Sequence, residues 1–276
     1  MTNAAASGTW KLGQFTVNRL GFGAMRLMFR DRDSAIAVLR RAVELGVNHI
    51  DTAAFYFHGH LSANELINAA LRPYRDDLVI TTKVGPGRDP SGTFLPFATP
   101  EQLKGQVEEN LRQLGREHMD VVNLRLGEAL ERGTGSLADW FGTLAELREA
   151  GMIRELGISN VGPEHLDEAL KIAPVVCVQN QYGFDTRRED DALIETCARH
   201  DIAFVPFFAV ANSTENAAVD ELAAKYGVTP AQIRLAWTLH KGPNVLAIPG
   251  TGDLAHLEQN IAAGSLRLAA EDLDSL

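Results

Sequence analysis

The apolar positions of the chain alternate between two spacings. Short runs of β-branched and apolar residues predict strands at 47–51, 78–83, 119–126, 153–159, 175–181, 202–207 and 245–248, with a weaker one at 20–23. Between them the spacing becomes helical. In residues 34–45, Ile36, Leu39 and Val43 recur at i, i+3 and i+7 and so share one helix face. The same reading predicts helices at 63–71, 100–114, 137–150, 163–172, 191–200, 219–226 with 230–239, and 253–262. Local punctuation agrees. Gly46 and Gly151 fall just past helix ends, where left-handed backbone is wanted. Thr99-Pro100-Glu101-Gln102 and Thr229-Pro230-Ala231-Gln232 read as helix starts, with a cap residue, proline at the first helical position and glutamine at the third.

Eight strands each followed by helical sequence, at about 30 residues per unit, make the roughly 250 residues of a closed (β/α)8 TIM barrel. An open doubly wound sheet has the same alternation, so spacing alone leaves closure open. Residues 9–17 read as a short N-terminal β-hairpin turning at Gly13-Gln14, outside that count. No linker-like stretch divides the 276 residues, and one domain over 1–276 is expected.

Composition then excludes several classes. Lys and Arg number 26 against 36 Asp and Glu, a net charge of −10. Such a balance argues against coating nucleic acid or an anionic membrane, though it leaves room for one small phosphate pocket. Cys177 and Cys197 lie in apolar contexts and read as buried reduced thiols. The eight histidines form no H-E-x-x-H and no zinc-spaced cluster, and no metal is expected. The first ten residues lack the basic and apolar regions of a secretory signal, and no apolar run approaches the ~18 residues of a membrane span. A cytoplasmic protein is the expectation.

In a barrel, chemistry gathers where strands end. Here the second strand ends at Asp51 with Tyr56 five residues on, the third at Lys83 and the fourth at Arg125. A tyrosine hydroxyl is a weak acid, a neighbouring ammonium stabilises its phenolate, and a carboxylate holds the ammonium in place. Such a trio suits proton delivery to a carbonyl oxygen. Each residue also has an ordinary reading: Asp51 capping a turn, Lys83 pairing at a strand end, Tyr56 a loop aromatic.

The stretch His49-Ile-Asp-Thr-Ala-Ala-Phe-Tyr56 resembles the signature of the aldo-keto reductase superfamily. Thr81-Thr-Lys83, Gly157-Ile-Ser-Asn160, Val178-Gln-Asn180 and Ile248-Pro-Gly-Thr251 with Asn260 downstream resemble further motifs of that family, in the same order. The likeness runs from about Leu20 to Ala263. It implies a barrel that binds NADP(H) in extended form and reduces an aldehyde or ketone by hydride transfer. By that resemblance Tyr56 is the proton donor, Lys83 its modulator and Asp51 the partner of the lysine. Ser159, Asn160 and Gln179 would hold the nicotinamide carboxamide, and Phe207 would stack on the ring. Gly250, Thr251, His256, Gln259 and Asn260 would line the adenosine end.

Two departures from the family carry weight. Arg125 stands where the family usually has a histidine, and Glu128 lies close enough in sequence to neutralise it. A branch resembling pyridoxal reductases shares this Val-Val-Asn-Leu-Arg form and an asparagine at the place of Asn64, so a pyridoxal-like aldehyde is the expected substrate. Gly250 and His256 stand where many members place a lysine and an arginine for the 2′-phosphate. The free N–H groups of the last helix would replace them, unless Asp253 caps that helix. NADPH is expected, with NADH the weaker alternative. The stretch Phe208-Ala209-Val210-Ala211-Asn212-Ser213 lacks the family's proline and glycine, so a different loop closure is expected. Pocket walls are expected from 25–29, Phe57, 94–97 and 127–137, and with no long C-terminal loop an open site for bulky substrates. His58 and His60 read as rim residues. A second functional class, an NADP(H)-binding redox-sensing or regulatory module with weak catalysis, is also consistent with Arg125 and the altered loop.

Overall fold

Because successive side chains of a strand point to opposite sides, every strand of a closed sheet feeds one layer inside the ring and one beneath the helices. The computed structural model describes residues 2–128, 130–186, 188–209 and 215–276. After a 3-10 turn at Ala4–Ser7, β1 (Thr9–Leu12) and β2 (Phe15–Asn18) form the expected N-terminal hairpin. Gly13 turns it at φ +62°, and a Cβ there would collide with the Glu155 carboxylate that accepts from Gln14 N at 3.0 Å. Then come β3 (Phe22–Gly23), α1 (Arg32–Glu44), β4 (His49–Asp51), a small ribbon of β5 (Phe57–His58) and β6 (Leu61–Ser62), and α2 (Ala63–Leu71). The chain continues through β7 (Val79–Val84), α3 (Pro100–Leu114), β8 (Met119–Arg125), α4 (Ala138–Glu149), β9 (Ile153–Ser159), α5 (Pro163–Ala169), β10 (Cys177–Gln179), α6 (Asp191–Arg199) and β11 (Ala203–Phe204). It ends with α7 (Ala217–Tyr226), α8 (Pro230–His240), α9 (Leu254–Ala263) and α10 (Ala270–Asp274).

Seven strands pair in parallel in the order β3-β4-β7-β8-β9-β10-β11. Residues 245–248 complete the ring. Val245 bridges Phe204 and Ala247 bridges Leu20, both parallel. Leu246 N donates to Phe204 O, and Ala247 N to Arg19 O, each at 2.9 Å. The sheet is therefore a closed (β/α)8 barrel, and the doubly wound alternative falls away. Continuous pairing is shorter than expected on this side: 177–179 against 175–181, and 203–204 against 202–207. The hydrogen bonds nevertheless go on, from Val205 N to Val178 O at 2.8 Å and from Phe207 N to Asn180 O at 2.9 Å. Strand tilt in a closed barrel staggers the ladder and interrupts it without unpairing the backbone.

The helix starts follow their caps. Both Thr-Pro-x-Gln boxes are formed, with Thr99 N donating to Gln102 Oε1 at 2.9 Å and Thr229 N to Gln232 Oε1 at 3.0 Å. Spacing gave no sign of α10. It is held by Asp272, whose carboxylate accepts from Lys225 Nζ at 2.6 and 2.8 Å and from the Tyr226 hydroxyl at 2.5 Å.

Ile50, Ile80, Val122, Leu156 and Phe204 face outward and pack with the helices. Val79, Val121, Cys177, Ala203 and Leu246 face inward, and the fully buried Leu12 and Val17 of the hairpin join them to fill the N-terminal end of the barrel. Toward the other end the inward layer turns polar, beginning with His49 and Thr81. His49 Nε2 lies 3.1 Å from Thr81 Oγ1, and Nδ1 is buried with no partner among the described residues. Burial pushes the imidazole down to about 4, with Asp51 opposing and Lys83 assisting.

His49 thus stays neutral in the fold while the unfolded chain protonates it near pH 6.5. Stability should fall as pH drops from about 6.5 toward 4, with His49 contributing about 1.4 kcal/mol per pH unit. Urea unfolding of the wild type and of His49→Gln at pH 7 and pH 5 measures it. The variant should lose about 2 kcal/mol less across that interval; equal losses would remove His49 as the cause.

Candidate active site

Register places Asp51 beside Thr81 on adjoining strands, so Lys83, one inward step further along β7, reaches over to the end of β4. Its ammonium donates to both Asp51 oxygens, at 2.8 and 2.7 Å, and to Thr52 O at 3.0 Å. All three of its N–H groups are used, as a lysine only 2% exposed requires. Burial by itself would lower the Lys83 pKa; the Asp51 charge, and after it Tyr56, more than offset this and hold it above the ordinary lysine value. Tyr56 lies in the loop after β4, its N–H on Ala53 O and its carbonyl accepting from Ala63 N. Its ring centroid is 4.9 Å from Lys83 Nζ, and Phe55 packs edge-on against it at 5.1 Å.

Two buried polar networks hold the pair. In the barrel, Gln179 Nε2 donates to Asp51 Oδ1 at 2.7 Å, Asn123 Nδ2 to Gln179 Oε1 at 3.2 Å, and the Cys177 thiol to Asn123 Oδ1 at 3.1 Å. Gly157 makes this possible, since a Cβ there would strike both Asn123 and Cys177. Outside the ring, Thr52 Oγ1 donates to Asn64 Oδ1 at 2.7 Å, and Asn64 Nδ2 to Asn110 Oδ1 and Gln113 Oε1, both at 2.9 Å. That chain fixes the peptide whose carbonyl completes the shell of Lys83. Asn123, Asn110 and Gln113 escaped the sequence reading. The first sits at an inward position two residues before Arg125, which was its one available signal.

Arg125 closes β8 on the same cavity. Nη1 donates to Ser159 Oγ at 3.4 Å, and the guanidinium lies 5.0 Å from the Phe207 ring centroid. Burial pushes its pKa down, with Tyr56 and Asp51 opposing; a guanidinium starts so high that it remains charged. The cavity has a volume of about 960 Å³, at the upper end of the range for small-ligand sites. Asp51, Tyr56, Lys83, Arg125, Phe207 and Gly250 all line it. Of the expected walls, Met25, Arg26 and Met28, all of 94–97, and Gly127, Glu128 and Leu130 line it. Phe57 does not, because it pairs with Ser62 in the β5–β6 ribbon and Phe55 takes the place against the cavity; Leu137 is buried in the core under α4. His58 packs on Phe29, with ring centroids 5.4 Å apart.

The other expected residues are distributed along the C-terminal rim. Asn160 has a left-handed backbone, φ +61°, and its amide donates to Leu126 O at 2.9 Å and to Glu131 O. Thr251 is buried and accepts from Asp253 N at 3.1 Å. Asp253 caps α9, taking the His256 N–H at 2.9 Å, while the His256 ring and Gln259 are exposed and Asn260 is half-buried. The loop after β11 begins at Phe208, φ +60°; Val210, Ala211, Asn212 and Ser213 of that expectation lie outside the described residues.

Removing one partner of a buried ion pair strands the other charge, which costs about 3–5 kcal/mol. Asp51→Asn and Lys83→Met should each lose about that much in urea unfolding, and the double variant clearly less than the sum. Additive losses would mean that the two charges do not depend on each other.

The sequence pattern of the Aldo/keto reductase family matches residues 19–276. The chain is 45% identical to Pyridoxine 4-dehydrogenase of Escherichia coli (strain K12), over 98% of each. Among solved structures it resembles the thermostable aldo-keto reductase Tm1743, crystallised with the inhibitor epalrestat: TM-score 0.82, 28% identity, 97% of each chain covered. An aldo-keto reductase from Klebsiella pneumoniae in complex with NADPH gives a TM-score of 0.79 at 26% identity, covering 94% of this chain and 90% of that one. With the family pattern running from the first barrel strand to the last residue, and with this fold beneath it, the chain belongs to the aldo/keto reductase family.

Proposed function

We propose that the protein is an NADPH-dependent reductase of a pyridoxal-like aldehyde, with Tyr56 as proton donor. The observation that carries this reading is the sealed Asp51–Lys83 pair with the Tyr56 ring 4.9 Å from the ammonium, at the wall of a cavity. Likeness to a pyridoxine 4-dehydrogenase and to a structure holding NADPH supports substrate and cofactor.

The donor set suits NADPH. Phe207 offers a flat aromatic wall, and the cavity is large enough for a cofactor's reactive end together with a substrate. Ser159 lies behind Arg125 and Gln179 behind Asp51, both of which line the cavity, while the Asn160 amide is taken by the carbonyls of Leu126 and Glu131; none of the three lines the cavity itself. The adenosine end falls to Gly250, Thr251, His256, Gln259 and Asn260. Asp253 already takes one N–H of α9, so that terminus is not a bare anion site. The Arg30 side chain, however, covers Gly252, where a Cβ would come within 2.6 Å of Nε, and brings a cation to that end. This favours NADPH over NADH.

When bound, the cofactor supplies the hydride. The residues of the chain manage the proton. Tyr56 Oη gives its proton to the carbonyl oxygen, and the ammonium of Lys83 stabilises the phenolate left behind. Asp51 and the Thr52 carbonyl keep that ammonium charged and still. Arg125 adds a second fixed cation on the side of the developing oxyanion, where the family's usual residue is uncharged when neutral.

The test follows the absorbance of NADPH at 340 nm with pyridoxal and with other aromatic aldehydes. Wild type should oxidise NADPH only when a carbonyl is present, and Tyr56→Phe should lower kcat by about 10²- to 10⁴-fold. A loss under about threefold would remove Tyr56 as the donor. Tight NADPH binding with no carbonyl-dependent oxidation would favour the redox-sensing module instead.

A further inference from the structure

The cavity mouth is more positive than a chain of net charge −10 leads one to expect. Four cations border it, Arg26, Lys83, Arg88 and Arg125, against the carboxylates of Asp51 and Glu128. Lys83 and Asp51 satisfy each other, and Arg125 belongs to the reacting end. Among the described residues, neither Arg26 nor Arg88 forms an ion pair.

Arg88 is the better built of the two. It stands on a tight loop, with Leu95 N donating to Gly87 O and Asp89 N to Thr93 O, both at 2.9 Å. The neighbouring acid, Asp89, is committed to that loop: Oδ1 accepts from Ser91 N at 2.9 Å, Ser91 Oγ at 2.6 Å and Thr93 N at 3.0 Å. The guanidinium lies 4.2 Å from the Phe94 ring centroid, and its Nε is buried with no hydrogen-bond partner among the described residues. A stacked, oriented guanidinium with an unmet donor, bordering a cavity, is a ready receptor for an oxyanion.

Place in the ring says which ligand. The loop bearing Arg88 follows β7, the third stave, whereas Phe207, Phe208 and Ala209 follow β11, the seventh. In a ring of eight these stand opposite, so Arg88 faces the Phe207 side across the mouth. Tyr56 and the aromatic rings of Phe55, Phe94 and Phe97 line the same cavity. We propose that Arg88 binds a carboxylate or phosphate carried on the far end of a flat aromatic substrate whose carbonyl reaches Tyr56. The carbonyl end of this statement rests on the reductase reading; the anion site does not.

Calorimetric titration of the full chain, with and without NADPH, using the unreactive probes benzoate, phenyl phosphate and benzamide tests it. At least one oxyanion should bind about tenfold or more tightly than benzamide, the worth of one charge-assisted contact. That preference should collapse in Arg88→Met and partly return in Arg88→Lys. Tighter binding of phenyl phosphate than of benzoate would name a phosphate monoester, and the reverse a carboxylate. The proposal is overturned if benzamide binds as well as both oxyanions or if neither binds at millimolar concentration. It is equally overturned if the preference survives Arg88→Met, or if Arg88→Met weakens NADPH binding alone, which would give the arginine to the cofactor. Anion binding that depends on Arg88 in a chain that oxidises no NADPH would keep this site and discard the reductase. Carbonyl-dependent oxidation without anion preference would do the opposite.

Discussion

An ammonium sealed inside a protein is tolerable only where its charge and its donors are met, and the barrel around Lys83 is arranged to that end. Asp51 supplies the counter-charge through two short bonds and Thr52 the third acceptor. Neither acceptor is itself left loose. Gln179 holds one oxygen of Asp51, and the Asn64 amide holds the Thr52 side chain. Four staves of the ring, β4, β7, β8 and β10, therefore contribute side chains to one polar layer. Lys83→Met would release that layer from its centre, whereas loss of an outer amide would only slacken one edge.

Much of this was legible in the sequence, and the reasons are local. Helices at 63–71 and 100–114 fall where spacing and caps put them, because Ser62 and Thr99 bond within their own turns. Asp51, Lys83 and Arg125 could be picked out because each closes an apolar run in a chain whose alternation already suggested a barrel. The eighth stave was legible as a run of apolar residues, but its closure depends on Leu20 and Ala247, far apart in sequence.

The rest was hidden for equally physical reasons. Loops have no period, so nothing distinguished Phe55 from Phe57 as a wall until the β5–β6 ribbon fixed which one turns inward. Arg88 carries no periodic or motif signal in the sequence, where it falls between the strand at 78–83 and the helix at 100–114. Its significance depends on Phe94 stacking beneath it and on Asp89 being spent elsewhere. The amides of Asn110 and Gln113 look from sequence like polar positions on a helix, yet they carry a chain of hydrogen bonds to the barrel rim.

The hairpin that opens the chain has a consequence for traffic. Leu12 and Val17 stopper the barrel at the end opposite Tyr56 and pack there with side chains from the staves. A vessel corked at the base cannot be flushed through. Molecules bound near Lys83 would arrive and depart at the same brim, so that of any two occupants the one lying nearer the opening would delay the exit of the other.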